Sequence, residues 1–170
     1  MSFVFGDLGP ATVIWDVDGT ALDLGPMLGS IQFTDDPKYK EIREERYGEN
    51  AVDAVFVGRT VSLVVPMTRS SLAQLEKVIP SLTLAGAVGT AKASVGSQMY
   101  ADAKKVTVKK VTDGVVSTTA TEWLTIFKAY PVTKSDWKFD ASNQRVCDVT
   151  FLCFPCQESG VVGNMWKIGE

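Results

Sequence analysis

The 170-residue chain contains no histidine. That absence removes Ser/His/Asp and Cys/His nucleophile triads, imidazole general bases and histidine metal sites together. Cysteine is scarce too: Cys147, Cys153 and Cys156 are an odd number crowded toward the C-terminal end, which does not make the disulfide framework of a small secreted domain. No stretch approaches the ~18 consecutive apolar residues of a membrane span. Residues 1–7 (MSFVFGD) lack the basic and longer apolar regions of a signal peptide, so synthesis in the cytoplasm with no membrane anchor is expected. Excess positive charge is missing as well. With 17 basic and 20 acidic residues the net charge is −3, which disfavours a protein that must neutralise many duplex phosphates.

What is present is ordinary globular composition, 45% hydrophobic and 22% charged, in a chain long enough for one core and too short for two full domains. No repeat in the solenoid range and no linker divides it, so a single domain over residues 1–170 is expected. Residues 11–17 (ATVIWDV) are β-branched and aromatic, and Asp18-Gly19 is a hairpin-turn signal leading into a second strand through Leu24. Residues 30–34 (SIQFT) alternate as a half-buried strand that Asp35-Asp36-Pro37 ends. Residues 38–47 (KYKEIREERY) are almost entirely charged. By propensity they could be a short helix, and as a strand they carry polar residues on both faces, either on the solvated surface or facing water on an inner surface.

Residues 52–57 and 60–65 read as two successive strands separated by Gly58-Arg59 and closed by Pro66. The one convincing helix follows, with a capping box at Ser71 and Gln74, Leu72, Leu75, Val78 and Ile79 on one face, and Pro80 as its stop. Residues 81–100 are small and Gly- and Ala-rich without clear period, which predicts an irregular, exposed loop for a partner. Strands are expected over 104–111, with Val106 and Val108 inward, then a second Asp-Gly turn at Asp113-Gly114, then strands over 122–130 and 145–154. The sum is a mainly β domain, a β-sandwich or barrel with one short flanking α-helix.

Three features look chemical. Residues 13–21 (VIWDVDGTA) form an apolar strand ending in Asp-x-Asp-Gly-Thr, which resembles the first motif of the haloacid dehalogenase-like phosphohydrolases. That resemblance implies Asp16 as the nucleophile on phosphorus, Asp18 as general acid/base and a magnesium ion screening the phosphate. The remaining parts are missing from the pattern: there is one helix where a doubly wound sheet alternates strands with many, and Asp35-Asp36 comes too early to be the later acidic pair. A hairpin turn at Asp18-Gly19, with Asp16 and Asp18 on one face of a strand, is therefore expected. Cys153-Phe154-Pro155-Cys156 has the C-x-x-C spacing of a redox dithiol, but no β-α-β pattern surrounds it and no further pair completes a zinc tetrahedron. Cys147 lies ~20 Å along a strand from Cys153, too far to bond within it, so small buried hydrophobes are expected. If they oxidise, Cys147, Cys153 and Cys156 are candidate intersubunit thiols. Lys104, Lys105, Lys109 and Lys110 have no interleaved aromatics, which predicts a solvated edge strand.

The order of features is similar to that of another family. A Trp-containing strand and Gly turn run into Leu24-Gly25, followed by a Gly-led strand (29–33), a charged stretch closing on Tyr47-Gly48, residues 52–58 (VDAVFVG), 61–66 and the 71–79 helix. In the second half come 123–131 (WLTIFKAYP), Trp137-Lys138-Phe139, 149–152 (VTFL) and 165–169 (MWKIG). From about Val13 to Gly169 this order resembles the bacteriophage tail tube protein, also called the major tail protein; Cys153 and Cys156 are departures from that pattern.

The resemblance implies a non-enzymatic structural virion protein without a cofactor. Its subunits would form hexameric rings whose inner strands join edge to edge into a closed barrel, stacked into a hollow tube for DNA ejection and assembled in the host cytoplasm. Implied partners are other copies and other tail proteins (sheath or terminator, tape measure, baseplate or tip), with DNA only transiently in the lumen. A mildly acidic chain suits a channel that must not hold DNA, through like-charge repulsion. Tube proteins of contractile injection or secretion machines share the architecture and are the alternative. In this setting Lys38, Lys40, Glu41, Arg43, Glu44, Glu45 and Arg46 become candidates for the lumen-facing inner strand. The N-terminal arm (1–10) and the 81–100 loop become ring-to-ring connectors. Deleting residues 82–98 is then expected to leave folded monomers that fail to stack.

Overall fold

Period-two hydrophobicity and β-branched content put most of the chain into strands. The computed structural model describes residues 10–25, 27, 30–67, 71–79, 82–91, 96, 98–133 and 147–169. In chain order its elements are β1 (Ala11–Trp15), β2 (Leu22–Asp23), β3 (Gln32–Arg43), β4 (Ala51–Met67), α1 (Leu72–Val78), β5 (Leu82–Ala85), β6 (Val88–Ala91), α2 (Met99–Asp102), β7 (Lys104–Thr112), β8 (Val115–Val116), β9 (Leu124–Pro131), β10 (Cys147–Cys153) and β11 (Trp166–Ile168), with 3₁₀ turns at Glu45–Tyr47 and Ala120–Glu122. The main sheet is antiparallel throughout and runs β2-β1-β7-β9-β10-β4-β3; β11 pairs with β9, β8 folds back on β7, and β5 and β6 form a small sheet of their own.

The core lies on one face of this sheet. Along β4, Val61, Leu63, Val65 and Met67 are buried with Ser62 and Val64 only partly so and Pro66 buried as well, and β10 alternates with Cys147, Val149, Phe151 and Cys153 inward. Leu63 stands in register with Phe151 on one side and Phe33 on the other, so three large side chains meet in one row. Val13 and Trp15 of β1, Val106 of β7, Ile126 and Ala129 of β9, and Leu75 and Val78 of α1 complete the same cluster. Full burial of an aliphatic or aromatic side chain of this size contributes about 1.5–3 kcal/mol.

Several expectations hold. Ser71 caps α1 as a reciprocal box: its Oγ accepts from the Gln74 N–H at 3.2 Å, and Gln74 Oε1 accepts from the Ser71 N–H at 2.9 Å. Asp113 and Gly114 join β7 to β8 as a two-residue turn with both φ values positive, 51° and 77°, the I′ geometry that Asp-Gly favours. Val106 is buried and Val108 packs on the core.

Others are corrected. The fold is mainly β, but no barrel closes within a copy: the described strands make one main antiparallel sheet ended by β2 and β3. Asp35-Asp36-Pro37 does not end a strand, because β3 runs through it to Arg43; as an edge strand, β3 tolerates a proline. Residues 38–43 are strand, not helix, because pairing with β4 overrides propensity. The two strands expected over 52–57 and 60–65 are one 17-residue strand, in which Gly58 sits in open space. The irregular 81–100 loop holds the β5–β6 hairpin and α2, while 81, 92–95 and 97 are outside the described residues. The lysines of β7 are not on an edge, since β7 lies between β1 and β9. The connection from β1 to β2 is broader than a two-residue turn, so Asp16 and Asp18 lie in a loop and not on a strand face. Residues 1–9 of the N-terminal arm, Trp137-Lys138-Phe139 and the start of the 145–154 strand fall outside the described residues.

Candidate functional site

The β3–β4 hairpin has two halves. Near the body, Gln32 to Pro37 pair with Val64 to Arg59, and β4 is flanked on its other side by β10. That flank ends at the Leu152–Ser62 pair. Beyond it, among the described residues, β4 has only β3 for a neighbour, and residues 38–43 and 51–58 continue as a two-stranded ribbon. Eight β4 residues at ~3.3 Å each carry this ribbon about 25 Å to its tip, where Glu45–Tyr47 make a 3₁₀ turn and Gly48 takes a positive φ of 66°.

Both faces of the ribbon meet solvent. All of 38–57 are exposed, including Tyr39 (61%), Ile42, Val55, Phe56 and Val57 (60%). Tyr39 and Phe56 stand opposite each other with ring centroids 5.8 Å apart in an edge-to-face contact. The seven charged candidates are brought together here: Lys38, Lys40, Glu41 and Arg43 on β3, Glu44 just after it, Glu45 and Arg46 in the tip turn. Arg43 and Glu41 pair at 2.8 Å on the surface, a contact of small energetic weight. The charged run was legible in the sequence; the apolar partners Val52, Val55, Phe56 and Val57 were not, since an apolar strand ordinarily signals burial.

The ribbon is fastened at its base. Asp35 accepts from Trp166 Nε1 at 3.2 Å and pairs with Arg59 Nε at 3.1 Å, and Phe33 meets Trp166 edge to face at 5.4 Å. Arg59 lies 5.9 Å from the centre of the Phe56 ring. Phe56, Gly58, Arg59, Pro155, Met165 and Trp166 line a groove along the β4 edge that β10 leaves open. The 154–164 loop beside it is held by a Lys128–Glu158 ion pair at 2.7 Å, and the hydrogen bond to Glu158 raises the Lys128 pKa. The Gln157 N–H also donates to the Tyr100 hydroxyl at 2.9 Å.

Neither protein-family models nor characterised proteins match this chain. Asp18 is tied to Lys105 at 2.6 Å, and Asp16, at a positive φ of 55°, has its carboxylate folded over Gly19, where an added Cβ would stand 2.7 Å from both oxygens. Among the described residues no group of three or more acidic or Cys side chains is placed to hold a cation, and the antiparallel sheet is not the doubly wound one that the phosphohydrolase motif requires.

Cys147, Cys153 and Cys156 are all buried and none is in a disulfide, so this copy presents none of them to a neighbour. Burial pushes the Cys153 thiol up to about 12, the opposite of an activated redox thiolate. Lys109 packs its ammonium 3.7 Å from the centre of the Trp123 ring. Among the described residues no helix is long and apolar enough to cross a membrane.

Proposed function

We propose that this chain is a self-assembling structural subunit, a tail-tube-like protein of a bacteriophage, whose copies form hexameric rings stacked into a hollow tube. The observation that carries this is the projecting ribbon. An isolated two-stranded hairpin is at best marginally stable in water, and three or more strands or a packed face are what stabilise it. Here the ribbon exposes Tyr39, Ile42, Val55, Phe56 and Val57 and leaves backbone groups unpaired along its edges. Neighbouring copies would supply the missing strands, and a closed circle of such ribbons removes the edges altogether.

The charges fit a channel. Within 38–53 there are four basic residues (Lys38, Lys40, Arg43, Arg46) and five acidic ones (Glu41, Glu44, Glu45, Glu49, Asp53). A nearly balanced wall gives passing DNA no continuous cationic track on which to stick. In this role the chain has no catalytic residue and no cofactor.

Negative-stain electron microscopy with a solution mass measurement tests the proposal. Rings or hollow tubes of hexameric layers are the expected result; a compact monomer at every concentration overturns it.

A further inference from the structure

The ribbon has two different free edges. One belongs to β3, which among the described residues pairs only with β4; the other belongs to β4 beyond Ser62, where β10 has left. Pro37 stands at the base of the ribbon on β3 and lacks an N–H, so it donates to no ladder at that point.

Register sorts the side chains by face. Lys40 opposite Val55 and Ile42 opposite Asp53 share one face, while Tyr39 opposite Phe56 and Glu41 opposite Ala54 share the other. On the first face Asp53 is the one acid within 38–43 and 51–58. Among the described residues neither Lys40 nor Asp53 is in an ion pair, although they stand diagonally on the same face of one copy; Asp53 Oδ1 accepts from the Ala54 N–H instead, at 2.7 Å.

We infer that the ribbon is a head-to-tail joint between copies, the β3 edge of one against the β4 edge of the next, with its register set by Lys40 of one copy meeting Asp53 of the other. This rests on the self-assembly proposed above. Because β3 and β4 are antiparallel within a ribbon, ribbons side by side and pointing the same way also meet as an antiparallel pair. With no shift along the strands Lys40 falls diagonal to Asp53 of the next copy, and with a two-residue shift directly opposite; both lie within reach of a lysine side chain. The contact is heterologous, so it propagates around a ring and does not stop at a dimer.

Charge reversal tests it, with assembly followed by light scattering and microscopy and folding checked by thermal melting. Lys40→Asp and Asp53→Lys are each expected to raise the concentration needed for assembly by about tenfold or more, since each sets like charges together at every joint. The double variant Lys40→Asp/Asp53→Lys is expected to return within about threefold of wild type. An equimolar mixture of the two single variants is expected to co-assemble, because alternating copies set the two introduced side chains against each other at one joint and the native Lys40 against the native Asp53 at the next. Single variants that assemble like wild type overturn the pairing, as does a mixture that stays unassembled while the double variant recovers, which would place the pair within one copy. Wild-type protein that never assembles overturns the self-assembly proposal itself, and the pairing with it.

Discussion

The single strand β4 runs through two environments. From Val61 to Val65 it alternates buried and partly buried residues, and from Ser62 to Met67 it has a neighbour on each side; from 51 to 57 it is exposed on both faces and, among the described residues, has one neighbour. Valine and phenylalanine occur in both stretches of the hairpin, so composition does not separate them. What separates them is support: Val61, Leu63 and Val65 are covered by Phe33, Phe151 and the rest of the core, whereas Val55, Phe56 and Val57 have lost β10 and meet water. The first half gives a copy its stability, and the second half leaves apolar area uncovered, which the proposed assembly would bury against a neighbouring copy.

The contrast can be broken most forcefully at the supported end. Phe151→Ala removes the buried ring that faces Leu63 and should cost about 3–5 kcal/mol, read as a lower midpoint in urea unfolding. Alkali should act next, just past the point where β10 leaves β4. Below pH 9 the Cys153 thiol keeps its proton in both folded and unfolded chains, so it adds no pH dependence. Between its ordinary value of 9.0 and about 12 only the folded chain keeps the proton, so stability falls as pH rises through that window. Urea midpoints of wild type and Cys153→Ala at pH 8 and pH 10.5 should show a steeper loss in wild type. A smaller effect is expected from Ser71→Ala, about 1 kcal/mol for the lost α1 cap, by thermal melting. Phe56→Ser should change monomer stability least, by less than about 0.5 kcal/mol, because its ring is already half in water. The same variant should abolish or strongly slow ring formation in the microscope; unimpaired rings would mean that the two halves of β4 do not differ in role.

The sequence made the supported half legible. Alternation over 60–65, the capping box and Asp113-Gly114 are local signals that the packed core reinforces, and the structure follows them. The ribbon was harder to read for a physical reason. A strand without a buried face has no period-two hydrophobic signal, so residues 38–47 could equally be a charged helix by propensity, and Pro37 mimicked a strand end. Likewise β6 is built of small residues, is exposed along its whole length and has no core to impose alternation, while the Leu82-Thr83-Leu84-Ala85 alternation of β5 is only four residues long. The charged candidates from Lys38 to Arg46 were found as a cluster because they are contiguous. Their apolar companions across the hairpin could be found only once the register was known.

The ribbon is interrupted twice by shifts in register, between Lys38 and Tyr39 and between Ile42 and Arg43. Such bulges bend a strand and tighten its twist. A circular wall made of these ribbons would take its radius from those two bends, so the number of copies per turn would be set in the backbone of each protomer. Removing Val57 or Val52, the extra residue at each irregularity, would then alter the diameter of the wall and leave its chemistry as it was.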